Sequence, residues 1–206
     1  MHPNPVFHTA ERAENIAFAR ERAFGTLAVT APDAAPLLSH IPFLLSADGT
    51  MAELHLVRSN PIARALTSGA RPARLAVTGP DSYISPDWYG IEDQVPTWNY
   101  VAVHLTGTIE LLPPDELRRV LDRQSAFYEE RLAPKPPWTI AKMDADALAK
   151  LMRMIVPARM QVTGIDGTWK LGQNKTDAVR GAAADHVDGY GFGSEPRILA
   201  ALMRGA

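Results

Sequence analysis

The sequence contains no cysteine, which excludes disulfides, thiolate-ligated metals and a cysteine nucleophile. It also has no apolar run near the ~20 residues that span a bilayer. Residues 1–24 carry acidic side chains and lack the continuous apolar segment of a secretory signal. We therefore expect a cytoplasmic protein without a membrane span, since a reducing compartment suits a chain without cysteine.

Familiar catalytic and nucleotide-binding motifs are absent too. No glycine-rich loop follows a strand pattern, so neither a P-loop nor a dinucleotide fingerprint is available. The chain has no HExxH motif, and the spacings of its 6 histidines match no zinc pattern, so we expect no bound metal. Ser39 and Ser85 lack the glycines of a nucleophile elbow, which leaves hydrolysis unsupported. The formal charge of −2 gives no bulk attraction to nucleic acid.

Short strands separated by turns dominate residues 25–110. In residues 101–109 the large aliphatic side chains occupy odd positions, which is the alternation of a half-buried strand. Such a pattern favours an antiparallel β-barrel with helical additions over a βαβ nucleotide fold. The predicted strands are 25–30, 37–46, 51–58, 73–78, 101–109, 158–164 and 168–171, with turns at 31–36, Gly79-Pro80 and Asp166-Gly167.

The helical additions cluster at the N-terminus and within residues 113–155 and 175–204. Asp144 is the predicted N-cap of one of these helices. Because no linker or composition change separates them from the strands, we expect a single domain over residues 1–206. The predicted helices are 9–23, 60–66, 113–132, 145–155, 175–185 and 194–204.

A first polar cluster, HLVRSNP, covers residues 55–61 at the point where a predicted strand gives way to a helix. A helix start supplies free N–H groups and a favourable dipole, and Arg58 could make bidentate contacts to a phosphate. On residue types alone, an exposed arginine followed by an asparagine N-cap is the more common explanation of this pattern. Both interpretations stay open on residue types alone.

Two further clusters combine aromatic, amide and cationic side chains. Trp98 and Tyr100 flank Asn99, an arrangement that suits a flat heteroaromatic ligand needing both stacking and hydrogen bonds at its edge. Core packing around a hydrogen-bonded asparagine explains it as well. Residues 169–175, WKLGQNK, hold two lysines and two amides, which fits either a ligand site or a solvated helix start.

Taken together, these segments resemble the PaiB-like family of FMN-binding negative transcriptional regulators. ISPDWY together with PTWNY is far more specific than any single glycine motif, and the resemblance covers nearly the whole chain. The matching stretches, in family order, are SHIPFLL (39–45), HLVRSNP (55–61), GPDSYISPDWY (79–89), VPTWNYVAVHLTG (95–107) and KLGQNK (170–175).

The resemblance implies an FMN-binding split barrel similar to pyridoxamine-phosphate oxidases. FMN would lie, without a covalent bond, in a groove between the two subunits of a homodimer. The implied FMN contacts are Ser39, His40 and Pro42 along the isoalloxazine edge, then His55, Arg58, Ser59 and Asn60 at the ribityl phosphate. A neighbouring strand would add Thr97, Trp98 and Asn99, and Lys170, Gln173, Asn174 and Lys175 would close the site from the same or the partner subunit.

The family name also implies DNA as a partner, but the sequence offers no separate support for it. The predicted helix 113–132 interleaves its arginines with acidic side chains, and no helix-turn-helix pattern is present. A regulator and a flavin-dependent oxidoreductase acting on a small molecule therefore both stay open. Haem in place of FMN, ligated by His40, His55 or His104, is a third interpretation that no sequence feature selects.

Overall fold

Six strands form the sheet in the computed structural model, which describes residues 1–31 and 35–206. The strands close into a barrel in the order β1-β2-β3-β6-β5-β4. Strand β1 pairs antiparallel with β2 and β4, and β3 pairs antiparallel with β2 and β6. The strands are β1 Phe24–Val29, β2 Leu37–Leu45, β3 Met51–Val57, β4 Arg71–Ile84, β5 Thr97–Leu111 and β6 Ile155–Lys170.

Each predicted helix is confirmed, with its ends shifted by a few residues. Helix α4 begins where predicted, because the Asp144 carboxylate accepts hydrogen bonds from the backbone N–H groups of Asp146 and Ala147 at 3.1 and 2.9 Å. No helix within the described residues is long and apolar enough to cross a membrane. The helices are α1 Arg12–Arg22, α2 Pro61–Ala65, α3 Leu117–Glu130, α4 Ala145–Met152, α5 Asp177–Tyr190 and α6 Pro196–Gly205.

The alternation predicted for the fifth strand is confirmed. Val101, Val103, Leu105 and Ile109 are buried along β5, and the side chains between them are more exposed. This is the burial pattern of a strand with one face towards a core.

Two predicted turns are wrong, because both lie inside long strands. Strand β4 continues through Gly79-Pro80, where a Cβ atom on Gly79 would lie 2.6 Å from the Phe18 ring. Strand β6 likewise continues through Asp166-Gly167, so the predicted hairpin does not form; a Cβ on Gly167 would lie 1.9 Å from Asn15 Oδ1. Both glycines therefore allow a close approach of another side chain, and neither reverses the chain. Of the predicted turn at 31–36, residues 32–34 lie outside the described residues.

The chain divides into two compact units, to which β4, β5 and β6 each contribute. Unit 1 has a core that includes Ile84, Trp169, Val187, Leu199 and Met203. Unit 2 buries Leu27, Phe43, Leu54, Leu75, Leu105 and Met160. The single domain over residues 1–206 stays a prediction. Unit 1 comprises Met1–Phe18, Val77–His104 and Asp166–Ala206, and unit 2 comprises Ala19–Ala76 and Leu105–Ile165.

Candidate functional site

An open pocket in unit 2 contains two of the predicted FMN contacts. We call it the arginine pocket; its volume is ≈ 420 Å³ and its walls are Val57, Arg58, Ser59, Arg64 and Met154. Strand β3 ends at Val57, so Arg58 and Ser59 lie in the turn that leads into α2. Arg64 reaches the same pocket from α2, and sequence analysis missed it because no motif marks a single arginine within a helix.

The arginine pocket carries positive charge that no carboxylate in residues 1–31 or 35–206 neutralises. Arg58 donates hydrogen bonds from Nε to the Arg153 carbonyl at 3.0 Å and from Nη2 to the Ile155 carbonyl at 3.4 Å. Neither Arg58 nor Arg64 forms an ion pair within those ranges, and no acidic residue lines the pocket. A planar guanidinium is well suited to bind phosphate through paired hydrogen bonds.

Asn60 fixes the backbone beside this pocket. Its Oδ1 accepts a hydrogen bond from the Ile62 N–H at 2.8 Å, which makes it the N-cap of α2, and its Nδ2 donates to Ser39 Oγ at 3.0 Å. The side-chain amide is thus engaged at both ends. In this structure Asn60 and Ser39 join β2 to α2 and hold the segment that carries Arg58 and Arg64.

The remaining predicted contacts of unit 2 have other partners. His40 is exposed and its Nδ1 lies 3.0 Å from Thr26 Oγ1 on the neighbouring strand. His55 Nδ1 lies 2.7 Å from Gln124 Oε1 of α3, and Gln124 Nε2 donates to the Pro42 carbonyl at 3.4 Å. Sequence analysis missed Gln124 and Thr26, which lie outside the recognised motifs.

His55 and Pro42 also line a second pocket of unit 2, the α3 pocket, with a volume of ≈ 420 Å³. Burial raises the pKa of Tyr128 in its wall. Polar and apolar side chains both line it, and most of the surface that they expose to the pocket is apolar, as is typical of small-molecule sites. Its lining is Pro42, His55, Leu121, Gln124, Ser125, Tyr128, Glu129 and Trp138.

Unit 1 has a smaller pocket, the lysine pocket, with a volume of ≈ 140 Å³. Lys170 Nζ donates to Thr97 Oγ1, and Lys175 Nζ donates to Gln94 Oε1. Burial lowers the pKa of Lys170. The lining contains five predicted residues, Thr97, Asn99, Lys170, Asn174 and Lys175, together with Phe7, Tyr89, Gln94, Val95 and Gly172, which sequence analysis did not assign to the site.

Two predicted contacts of unit 1 lie outside this pocket. Gln173 closes a local turn, since its Nε2 donates to the Trp169 carbonyl at 2.5 Å and its Oε1 accepts from the Leu171 N–H at 2.9 Å. The Trp98 side chain is 44% exposed, and its ring centroid lies 6.4 Å from that of Tyr83 in an edge-on contact. Seven predicted residues therefore lie in each unit, and their role in FMN binding stays a prediction.

Residues 1–164 match the model of the family described as "Putative FMN-binding domain". The chain belongs to this FMN-binding family. It is also 32% identical over 176 residues to "Protease synthase and sporulation protein PAI 2" of Bacillus subtilis, an alignment that covers 84% of this chain and 83% of that protein. The PaiB-like resemblance and FMN as the cofactor are thereby confirmed.

Two solved structures confirm the fold class. The FAD- and haem-binding protein of Mycobacterium smegmatis has a TM-score of 0.55 at 19% identity, covering 80% of this chain and 73% of that one. A conserved hypothetical protein of Mycobacterium tuberculosis has a TM-score of 0.56 at 18% identity, covering 82% and 89%. The flavin-type split barrel is therefore the fold of this chain.

Proposed function

We propose that this protein is a PaiB-type regulatory flavoprotein that holds the phosphate of FMN in the arginine pocket. One observation carries the proposal: in a chain of an FMN-binding family, Arg58 and Arg64 line one pocket without a carboxylate partner among the described residues. Charge-assisted hydrogen bonds to a dianion are the strongest that such a pocket can form.

The donors of the pocket fit a flavin phosphate. Arg58 and Arg64 supply cationic N–H groups and Ser59 supplies a hydroxyl, while Val57 and Met154 provide apolar wall. The volume of ≈ 420 Å³ falls within the ~300–1,000 Å³ of small-molecule sites. When bound, FMN supplies one- and two-electron redox chemistry; the chain's own part is to bind and orient it.

Substitution of Arg64 tests this assignment most cleanly, because no described residue depends on its guanidinium for a hydrogen bond. We expect Arg64→Ala to weaken FMN binding by about tenfold or more, the loss of one charge-assisted hydrogen bond, with riboflavin affinity unchanged. Arg58→Ala should weaken FMN at least as much. Flavin fluorescence titration gives both affinities.

Arg118→Ala is the matched control, because Arg118 pairs with Asp122 on the surface of α3 at 2.8 Å. Its FMN affinity should equal that of the wild type. If the Arg64→Ala protein is folded and its FMN affinity is unchanged, the assignment of the FMN phosphate to the arginine pocket is wrong.

The regulatory part of the proposal is supported by the Bacillus relative, whose name associates that protein with protease synthesis and sporulation. FMN can act as a signal only if it binds one conformation more tightly than another, because a ligand shifts an equilibrium by its differential affinity. We propose that FMN occupancy shifts a homodimer between two such forms.

A homodimer with FMN at the subunit interface is the assembly we propose. Exposed aromatic side chains at Trp98, Phe192 and Tyr190 support it, since a second copy of the chain would cover this apolar surface. Light scattering at micromolar concentration should give twice the 22.5 kDa chain mass. A monomer that binds FMN tightly would contradict the shared site.

We expect weak or no sequence-specific DNA binding by this chain alone. The arginines of α3 are occupied: Arg119 and Arg123 both bind Glu53, each at 2.5 Å. A mobility-shift assay on the gene's own upstream region, at rising salt and with FMN-loaded and FMN-free protein, tests this. Nanomolar binding that survives competitor DNA would overturn the expectation and establish direct DNA regulation.

The α3 pocket favours a second candidate function, a flavin-dependent oxidoreductase acting on a small molecule. Its volume and apolar lining suit a small substrate, and His55, Gln124 and Ser125 add hydrogen-bonding groups. FMN-loaded protein should then oxidise a reduced nicotinamide with turnover, and Ser125→Trp, which fills the pocket, should abolish that turnover. Equal rates in both proteins would eliminate the pocket as a substrate site.

A further inference from the structure

The lysine pocket of unit 1 has a composition that points to a ligand of its own. We infer that it binds a small oxyanion, either a carboxylate or a phosphate. It belongs to unit 1, and the residues of the arginine pocket all belong to unit 2.

The charges of the pocket favour an anion. Lys170 and Lys175 each donate to a neutral side-chain oxygen, of Thr97 and Gln94 respectively. Among the ten lining residues none is acidic, and within the described parts of the chain neither lysine is in an ion pair. An anion that joins two ammonium groups at one pocket relieves their mutual repulsion.

The surroundings of the two lysines favour an anion as well. The Lys175 Nζ lies 5.1 Å from the centroid of the buried Tyr89 ring, and the Lys170 Nζ lies 5.7 Å from that of Phe7. Burial lowers the pKa of Lys170, which shows that its ammonium is partly removed from water. An oxyanion in such a setting is attracted more strongly than by an exposed lysine.

The backbone holds the lysine pocket in shape. Gly172 has φ of +86°, which favours glycine, and the turn it makes brings Lys170 and Lys175 to one pocket. The Lys175 N–H donates to the Gly172 carbonyl at 2.9 Å. Gln173 bonds the backbone of the same turn at Trp169 and Leu171. A preformed site of this kind loses less entropy on binding.

The size of the lysine pocket also suits a small anion. The volume of ≈ 140 Å³ equals that of roughly five water molecules at about 30 Å³ each, and lies below the ~300 Å³ at which pockets for drug-sized ligands begin. A phosphate or a small carboxylate fits this volume. The phosphate of FMN has the same chemistry as a free phosphate, so the experiment must separate the two.

Calorimetric titration of the full chain with inorganic phosphate, and separately with malonate, tests the inference. Each is run on FMN-loaded and on flavin-free protein. We expect saturable binding of at least one oxyanion in both forms. Lys175→Met and Lys170→Met should weaken it by about tenfold or more, as expected for the loss of a charge-assisted hydrogen bond.

Lys150→Met is the matched control, because Lys150 is an exposed lysine of α4 in unit 2. It should leave oxyanion affinity unchanged. Since Lys170 is partly buried, its variant could unfold; the pair Lys175→Met and Lys175→Arg then carries the test, because only Lys175→Arg retains the charge and should retain binding within a few-fold.

Three results would overturn the inference. One is the absence of saturable oxyanion binding in the wild type. Another is oxyanion binding that FMN blocks, together with a loss of FMN affinity but not of riboflavin affinity in Lys175→Met, since the pocket would then hold the flavin phosphate. The last is an equal loss in Lys150→Met. The second result would also contradict the placement of the FMN phosphate in the arginine pocket. The first and the last do not depend on whether Arg64 binds FMN, so they overturn this inference alone.

Discussion

Two groups of arginines in unit 2 have opposite surroundings. On α3, Arg119 and Arg123 converge on Glu53, which is only 5% exposed. At the turn before α2 and within α2, Arg58 and Arg64 have no carboxylate partner among the described residues and face an open pocket.

The comparison separates two uses of one residue type. Arginines that satisfy a buried carboxylate hold a helix against a strand and are not free for a ligand. Arg58 donates only to backbone carbonyls among the described residues, and no such contact involves the Arg64 guanidinium. Both side chains therefore retain N–H donors for a phosphate. The charge of the side chain is the same, so its partners decide its function.

Loss of Glu53 should have the largest effect on stability. Glu53→Ala removes the anion shared by Arg119 and Arg123 and should lower the free energy of unfolding by about 2–3 kcal/mol, near the upper range for hydrogen bonds to charged groups. The half-exposed arginines regain water, which limits the loss. Urea unfolding measures it. If Glu53→Ala lowers the free energy of unfolding by less than the loss of the exposed Arg118–Asp122 ion pair does, the Glu53 cluster does not anchor α3.

Acidification should remove the same contribution. Hydrogen bonding from Arg119, and then the charge of Arg123, hold the pKa of Glu53 below its ordinary value of 4.5. A lowered carboxylate pKa contributes stability above that value, which is lost as the pH falls through the folded-state pKa. Wild-type protein should therefore lose more stability than Glu53→Gln between neutral pH and strongly acidic pH. Parallel loss in both proteins would assign acid sensitivity to other groups.

A smaller loss is expected on the other side of the comparison. Asn60→Ala removes the N-cap of α2 and the hydrogen bond to Ser39. It should lower the free energy of unfolding by about 1 kcal/mol. Because α2 also carries Arg64, FMN affinity should fall modestly with it. Ser39→Ala leaves the N-cap in place and should lower the free energy of unfolding by less than Asn60→Ala does. Thermal unfolding of both variants measures the difference. An equal cost in both would mean that the cap contributes nothing.

The smallest effect is expected at the exposed pair of α3. Asp122→Ala breaks its ion pair with Arg118, in which both side chains are about half exposed, and should cost about 0.3–0.5 kcal/mol. FMN affinity should be unchanged. Chemical unfolding and fluorescence titration check the two statements, and a loss comparable to that of Glu53→Ala would erase the distinction between the two kinds of pair.

The sequence predicts the structure correctly where local pattern and tertiary contacts agree. The alternation of residues 101–109 and the caps at Asp144 and Asn60 are such cases. It failed at Gly79 and Gly167, whose turn chemistry is overridden because distant side chains pack against them. The family resemblance predicts a role for Arg58 but not for Arg64, since a residue within a helix can line a pocket without belonging to a sequence motif.

Paired titrations of the wild-type protein with FMN and with riboflavin test the central claim most directly, because the two ligands differ only in the phosphate. If Arg58 and Arg64 bind that phosphate, FMN should bind about tenfold or more tightly than riboflavin, and the difference should shrink as salt screens the exposed guanidinium groups. Equal affinities for the two flavins at low salt would contradict the account.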